Sequence, residues 1–241
     1  MTTEEITITK RFCGLPDSGN GGYVSGMIAR YVDGVAEVTL RKPPPLDQSM
    51  SVEQDEDTVR LMLGTDCIAE AKPSALELNI PESPTFAEAE NAVQRYTGFE
   101  DHAFPTCFVC GPDREEGDAL RIFAGSVGSD GTVAAPWTPH ASLADETGDV
   151  SSEYVWAALD CPGAFAVARF NEVVVVLGRL TVEQFRPVAY GEPHIVAAWP
   201  IDREGRKYFA GTAVYTADGE CCAAAKATWI AIEPVKGETK E

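Results

Sequence analysis

Residues 148–163, Gly-Asp-Val-Ser-Ser-Glu-Tyr-Val-Trp-Ala-Ala-Leu-Asp-Cys-Pro-Gly, read as one helix that is apolar almost all the way round. A surface helix keeps a polar face, so this one has to be enclosed by the remainder of the chain. Asp149 or Ser151 can cap its first turn, Glu153 lies where the positive end of a helix favours a carboxylate, and Pro162-Gly163 supplies a stop. After the apolar run Tyr154 to Leu159, near the C-terminal end, stands Asp160. A carboxylate there is disfavoured twice, by loss of water and by the negative end of the helix dipole. Two readings offset that cost. Backbone amides of a neighbouring loop donate to Asp160, or it is a general base or nucleophile whose raised pKa belongs to a reaction.

A second stretch has the same character. Gly21-Gly-Tyr-Val-Ser-Gly-Met-Ile-Ala-Arg-Tyr-Val32 follows a glycine-rich loop, Gly14 to Gly22, and again lacks a full polar face. Its glycines let another backbone or a ligand approach the helix start. Nucleotide-binding motifs fail here, because GxGxxG needs glycine where Val24 stands and a P-loop needs Gly-Lys-Ser/Thr where Gly26-Met27-Ile28 stands. Ser25 is no hydrolase nucleophile either, since the G-x-S-x-G elbow needs glycines at Tyr23 and Met27.

Around these two helices the chain reads as strands. Ile6 to Phe12 alternates apolar and polar residues; Val35 to Arg41, Met50 to Gln54, Thr58 to Gly64 and Cys67 to Leu78 follow, with Pro43-Pro-Pro45 as a break. Ser83-Pro84 opens an amphipathic connector helix with Phe86, Ala89, Val93 and Tyr96 on one face. In the second half, Leu120 to Phe123 and Thr132 to Trp137 flank the turn Ser129-Asp130-Gly131. Long strands are then predicted at Val173–Pro187, His194–Ile201, Lys207–Thr216 and Cys221–Glu233. Both halves therefore run strand, buried helix, antiparallel meander. Cys67-Ile-Ala-Glu-Ala-Lys72 aligns with Cys221-Cys-Ala-Ala-Ala-Lys226, and Leu40-Arg41 with Phe185-Arg186, which makes the chain an internal duplication. The expected units are 1–80, a connector over 81–117, 118–235, and a tail at 236–241.

Charge narrows the partners. There are 38 acidic residues against 19 basic ones, a formal net charge of −19, which repels nucleic acid and anionic membranes. With no basic n-region leading an apolar stretch and no run long enough for a membrane span, a cytoplasmic protein is expected. The seven cysteines are odd in number and irregular in spacing, unlike a secreted disulfide framework. Cys107-Phe-Val-Cys110 has the form of half a metal knuckle, but the second pair is missing from the sequence, so no metal is expected.

At this point the chain resembles a family. Gly-Gly-Tyr-Val-Ser-Gly at 21–26 with Pro-Pro-Pro-Leu-Asp at 43–47, in a duplicated helix-in-sheet chain, is similar to the double-hotdog proteins of the acyl-CoA thioesterase-like superfamily. The resemblance covers roughly 5–80 and 118–233. It implies an α+β fold of two tandem hotdog repeats, each an antiparallel sheet wrapped around a central buried helix, at 22–32 and 151–161. It also implies hydrolysis of an acyl thioester at a composite site between the repeats. Helix-start amides of one repeat would polarise the carbonyl while a carboxylate of the other activates water. Carried onto this sequence, Asp160 is the base or nucleophile, Gly22 gives the oxyanion amide, and Gly21, Asn20 and His140 bind substrate. Ala29 stands where Asp160 would fall in the first helix, so only one of the two symmetric sites is complete. No cofactor is implied beyond coenzyme A as part of the substrate; the partner is a small-molecule acyl thioester, and a homodimer is allowed. The fold hosts other chemistry, and two alternatives remain: an enoyl-thioester hydratase or dehydratase, for which His140 is the expected histidine, and a non-catalytic acyl or small hydrophobic ligand carrier.

Overall fold

The computed structural model describes residues 4–168 and 173–232. The first half contains β1 (Glu5–Thr7), α1 (Gly21–Ala29), β2 (Ala36–Leu40), β3 (Ser49–Asp55), β4 (Thr58–Leu63) and β5 (Asp66–Pro73). A connector carries α2 (Phe86–Ala92). The second half contains β6 (Gly125–Ser126), β7 (Val133–Trp137), α3 (Ser152–Ala158), α4 (Cys161–Val167), β8 (Val174–Gln184), β9 (His194–Glu204), β10 (Lys207–Thr216) and β11 (Cys221–Ile232). All strands join one antiparallel sheet in the order β1-β3-β4-β5-β2-β8-β11-β10-β9-β7-β6. Leaving out the short β6, the second half repeats the first in mirror order, and β2 and β8 form the seam, with Glu37 opposite Thr181 and Val38 opposite Leu180. These are the two hotdog repeats.

The duplication has a defined register. Lys72 pairs with Glu37 and Lys226 with Thr181; Ile68 O accepts from the N–H groups of Arg41 and Lys42, as Cys222 O does from Phe185 and Arg186. The alignment of 67–72 with 221–226 thus holds residue for residue. The other alignment slips by one, since Arg41 corresponds to Phe185 and not to Arg186.

Side-chain alternation explains the first repeat: Met50, Val52, Val59 and Leu61 point to the core while Glu53 and Arg60 face solvent. The second repeat is buried on both faces over part of its sheet. Cys222 to Ala225 are all buried because α3 and α4 lie on one side and a strap lies on the other. That strap is the segment predicted to prolong the fifth strand to Leu78. Pairing ends at Pro73, and Leu76, Leu78, Ile80, Phe86 and Ala89 cross to pack on Ile195, Ala197, Tyr215 and Ala224 of the other repeat. Two more strands are shorter than expected. After Thr7 the chain coils through a 3-10 turn, Lys10–Phe12, so that Phe12 can stack on Tyr23 with ring centroids 4.1 Å apart. Residues 120–123 form no strand; Leu120 and Ile122 donate instead to the carbonyls of Phe108 and Val109. Among the described residues no helix is long and apolar enough to cross a membrane. Glu233 and the expected tail at 236–241 lie outside the described residues.

The predicted helix at 148–163 is two helices. Pro162 has no N–H and its ring would clash with the carbonyl four residues back, so α3 ends at Ala158 and Pro162 instead occupies the first turn of α4. Leu159 and Asp160 make the break, Asp160 with φ −85° and ψ −87°. Ser151 takes the N-cap position of α3 without a side-chain bond, and Asp149 lies before it.

Candidate active site

Two glycines set the geometry. A Cβ on Gly22 would lie 2.6 Å from Trp156 O and 2.5 Å from Asp160 Cβ, and one on Gly26 would lie 2.5 Å from Glu153 Cα. Only glycines one turn apart let α1 press against α3, so the first helix meets the other helix and not only the sheet. Tyr23, Val24 and Ile28 fill the remaining faces and are buried, each contributing on the order of 1.5–3 kcal/mol. Asn20 caps α1, its side-chain oxygen accepting from Tyr23 N at 2.9 Å.

This contact carries the start of α1 onto the break after α3. Asp160 is 2% exposed. Its Oδ2 accepts from Gly22 N and from Asn20 Nδ2, both at 2.9 Å, while Oδ1 is buried without a hydrogen-bond partner among the described residues. Burial pushes the Asp160 carboxyl up to about 7, against the two donated hydrogen bonds, and negative charge at Cys107 adds to the rise. Asp160 therefore sits at the positive end of α1, and not inside the C-terminal turn of its own helix.

A cavity of about 280 Å³ opens here, walled by both repeats and the connector: Gly21 and Pro44 from the first, His102 from the connector, Asp160, Leu177 and Trp229 from the second. Asn20, Gly21 and Asp160 all border it. Gly22 does not; its N–H is spent on the carboxylate. Gly21 opens α1, and its N–H donates to no acceptor among the described residues. His140 is elsewhere, exposed and capping its own turn by accepting from Ser142 N at 3.1 Å. The cavity is also bordered by two cations, Arg41 and Lys42, paired with Glu70 at 3.3 Å and Asp66 at 2.7 Å.

Sequence reasoning missed three groups. His102 borders the cavity, its Nδ1 accepting from Phe104 N, and burial lowers its pKa. Trp229 brings an indole N–H that is buried without an acceptor among the described residues. Cys107, Cys110 and Cys161 meet beside Asp160, with all three Sγ within 4.8 Å of one another. The turn Cys107–Gly111 is closed by Gly111 N donating to Cys107 O, and is clamped by Tyr96 Oη donating to Cys110 O at 2.7 Å and Phe108 N donating to Cys13 O at 2.8 Å. Hydrogen bonds from the Cys110 and Cys161 thiols hold Cys107 well below the usual thiol range, while desolvation raises Cys110. Cys107 and Cys110 could be read as a pair from their spacing. Nothing in the sequence joins them to Cys161.

No family model and no curated protein matches the sequence. Solved structures do. The acyl-CoA thioesterase II TesB2 of Mycobacterium marinum is 12% identical and aligns over 96% of this chain and 93% of its own, with a TM-score of 0.61. The TesB protein of Mycobacterium avium subspecies paratuberculosis is 13% identical over 89% of this chain and 87% of its own, at 0.58. A hotdog-fold protein of unknown function from Alicyclobacillus acidocaldarius is 10% identical over 96% and 93%, at 0.59. With two repeats in mirror order about one seam and this likeness along nearly its whole length, the chain has the double-hotdog fold.

Proposed function

We propose that this protein hydrolyses an acyl thioester, with coenzyme A as the carrier and Asp160 as the general base. The observation that carries the reading is the half-used carboxylate of a residue that borders the cavity: Oδ2 is pinned by Asn20 and Gly22 while Oδ1 has no protein partner among the described residues. A water on Oδ1 gives up its proton as its oxygen attacks the thioester carbon. The tetrahedral intermediate then expels the thiolate, which takes the proton, leaving carboxylic acid and free thiol. Gly22 holds the base, so the amide that would steady the oxyanion is the free one of Gly21. The apolar cavity takes the acyl chain, and Arg41 and Lys42 can exchange the half-buried Glu70 and the exposed Asp66 for the phosphates of the carrier. Free thiols at all seven cysteines fit a reducing, cytoplasmic setting.

A panel of acyl-coenzyme A esters of graded length, with thiol release as the signal, tests this. At least one ester should turn over, and Asp160→Asn should lower its turnover by about 100-fold or more. Full activity in the variant removes Asp160 from the chemistry. His102 on the same cavity favours a second reading, hydration of an enoyl thioester. Loss of enoyl absorbance without thiol release identifies that reaction, and binding with neither signal identifies a carrier.

A further inference from the structure

We propose that Cys107, Cys110 and Cys161 form a thiolate site for Zn²⁺ that ties the connector to the helix break of the second repeat. All three side chains are buried, and their sulfurs lie within 4.8 Å of one another, Cys107 and Cys161 at 3.6 Å. Tetrahedral zinc with Zn–S bonds of about 2.3 Å needs sulfurs roughly 3.8 Å apart, so the group closes on an ion with small side-chain adjustments. The ligands come from elements that other bonds already fix. Cys107 and Cys110 sit on one tight turn, where a Cβ on Gly111 would lie 2.5 Å from Pro105 O, and Cys161 opens α4 next to the break. Asn20 Nδ2 stands 3.7 Å from Cys161 Sγ and 4.0 Å from Cys107 Sγ, an outer N–H donor suited to sulfurs that carry negative charge.

Donor chemistry selects the ion. Three soft sulfur ligands suit zinc over magnesium or calcium. No fourth histidine, cysteine or carboxylate joins the group among the described residues, and all three cysteines border the cavity, so the fourth corner falls to water or another molecule held there. Binding leaves three thiolates on one dication, and the protons the thiols still hold leave to the buffer. The site does not depend on the thioesterase reading, because its test reads metal and not turnover.

The full chain is reduced, stripped with a chelator, and titrated with Zn²⁺ and separately with Co²⁺. One equivalent of zinc should bind, and the cobalt form should show thiolate-to-metal charge transfer in the near ultraviolet with the intense visible bands of four-coordinate Co²⁺. Cys161→Ser should weaken binding by at least the roughly 10–100-fold that loss of an outer partner costs. Cys221→Ser, outside the cluster, should leave it unchanged. Should Cys161→Ser fail to fold, wild-type protein still decides, because bound Zn²⁺ must shield these three thiols from alkylation as mapped by mass spectrometry. A cobalt spectrum without thiolate bands, undiminished binding in Cys161→Ser, or a reduced protein that takes up no metal overturns the site.

Discussion

Asp160 shows how little of a residue's role is fixed by its own neighbours in sequence. Asp160→Asn can keep an oxygen toward both Gly22 N and Asn20 Nδ2, and it removes a charge that burial disfavours. Its stability should therefore stay within about 1 kcal/mol of wild type in denaturant unfolding, even as turnover falls. A larger loss would mean that the charge itself holds the two repeats together. Asn20→Asp is the complementary change. It keeps the cap on Tyr23 but sets an acceptor where a donor stood 2.9 Å from Asp160 Oδ2, and should cost about 1–3 kcal/mol. An Asn20→Asp protein that unfolds with wild type would remove that bond from the account. The buried carboxylate was legible in the apolar run around it. Its donors, 138 and 140 residues away, were not, because nothing local encodes which helix start will face it.

At the scale of elements, the crossing of α1 and α3 decides where the site lies. Gly22→Ala and Gly26→Ala each meet backbone atoms, Trp156 O at 2.6 Å and Glu153 Cα at 2.5 Å, which cannot rotate away as a side-chain tip would. Each substitution should destabilise by about 1–3 kcal/mol despite the better helix propensity of alanine, worth at most about 1 kcal/mol. Thermal melts check this, and a rise in Tm for either variant would contradict the close approach. The sequence marked these glycines as sites of approach without saying what approaches. It marked Pro162 as a stop, whereas proline also starts helices, and only packing α4 on the sheet selects that second use.

At the scale of the molecule, the two repeats share a seam, a core and a strap, so neither half should unfold alone. All four tryptophans, 137, 156, 199 and 229, lie in the second repeat, which gives a direct test. Tryptophan fluorescence reports that repeat, far-ultraviolet circular dichroism reports both, and their denaturation curves should coincide; separate midpoints would show two independent units. By itself the sequence determined the type of most strands and helices, the duplication and the buried carboxylate. These follow from side-chain period and local composition, which act within a few residues. Tertiary structure alone decided the use of Pro162 to start α4, the placing of His140 away from the site, the partners of Asp160, and the meeting of Cys107 and Cys110 with Cys161. Those contacts join residues that are far apart along the chain, and their distances are set by how two helices and one sheet close around a common core.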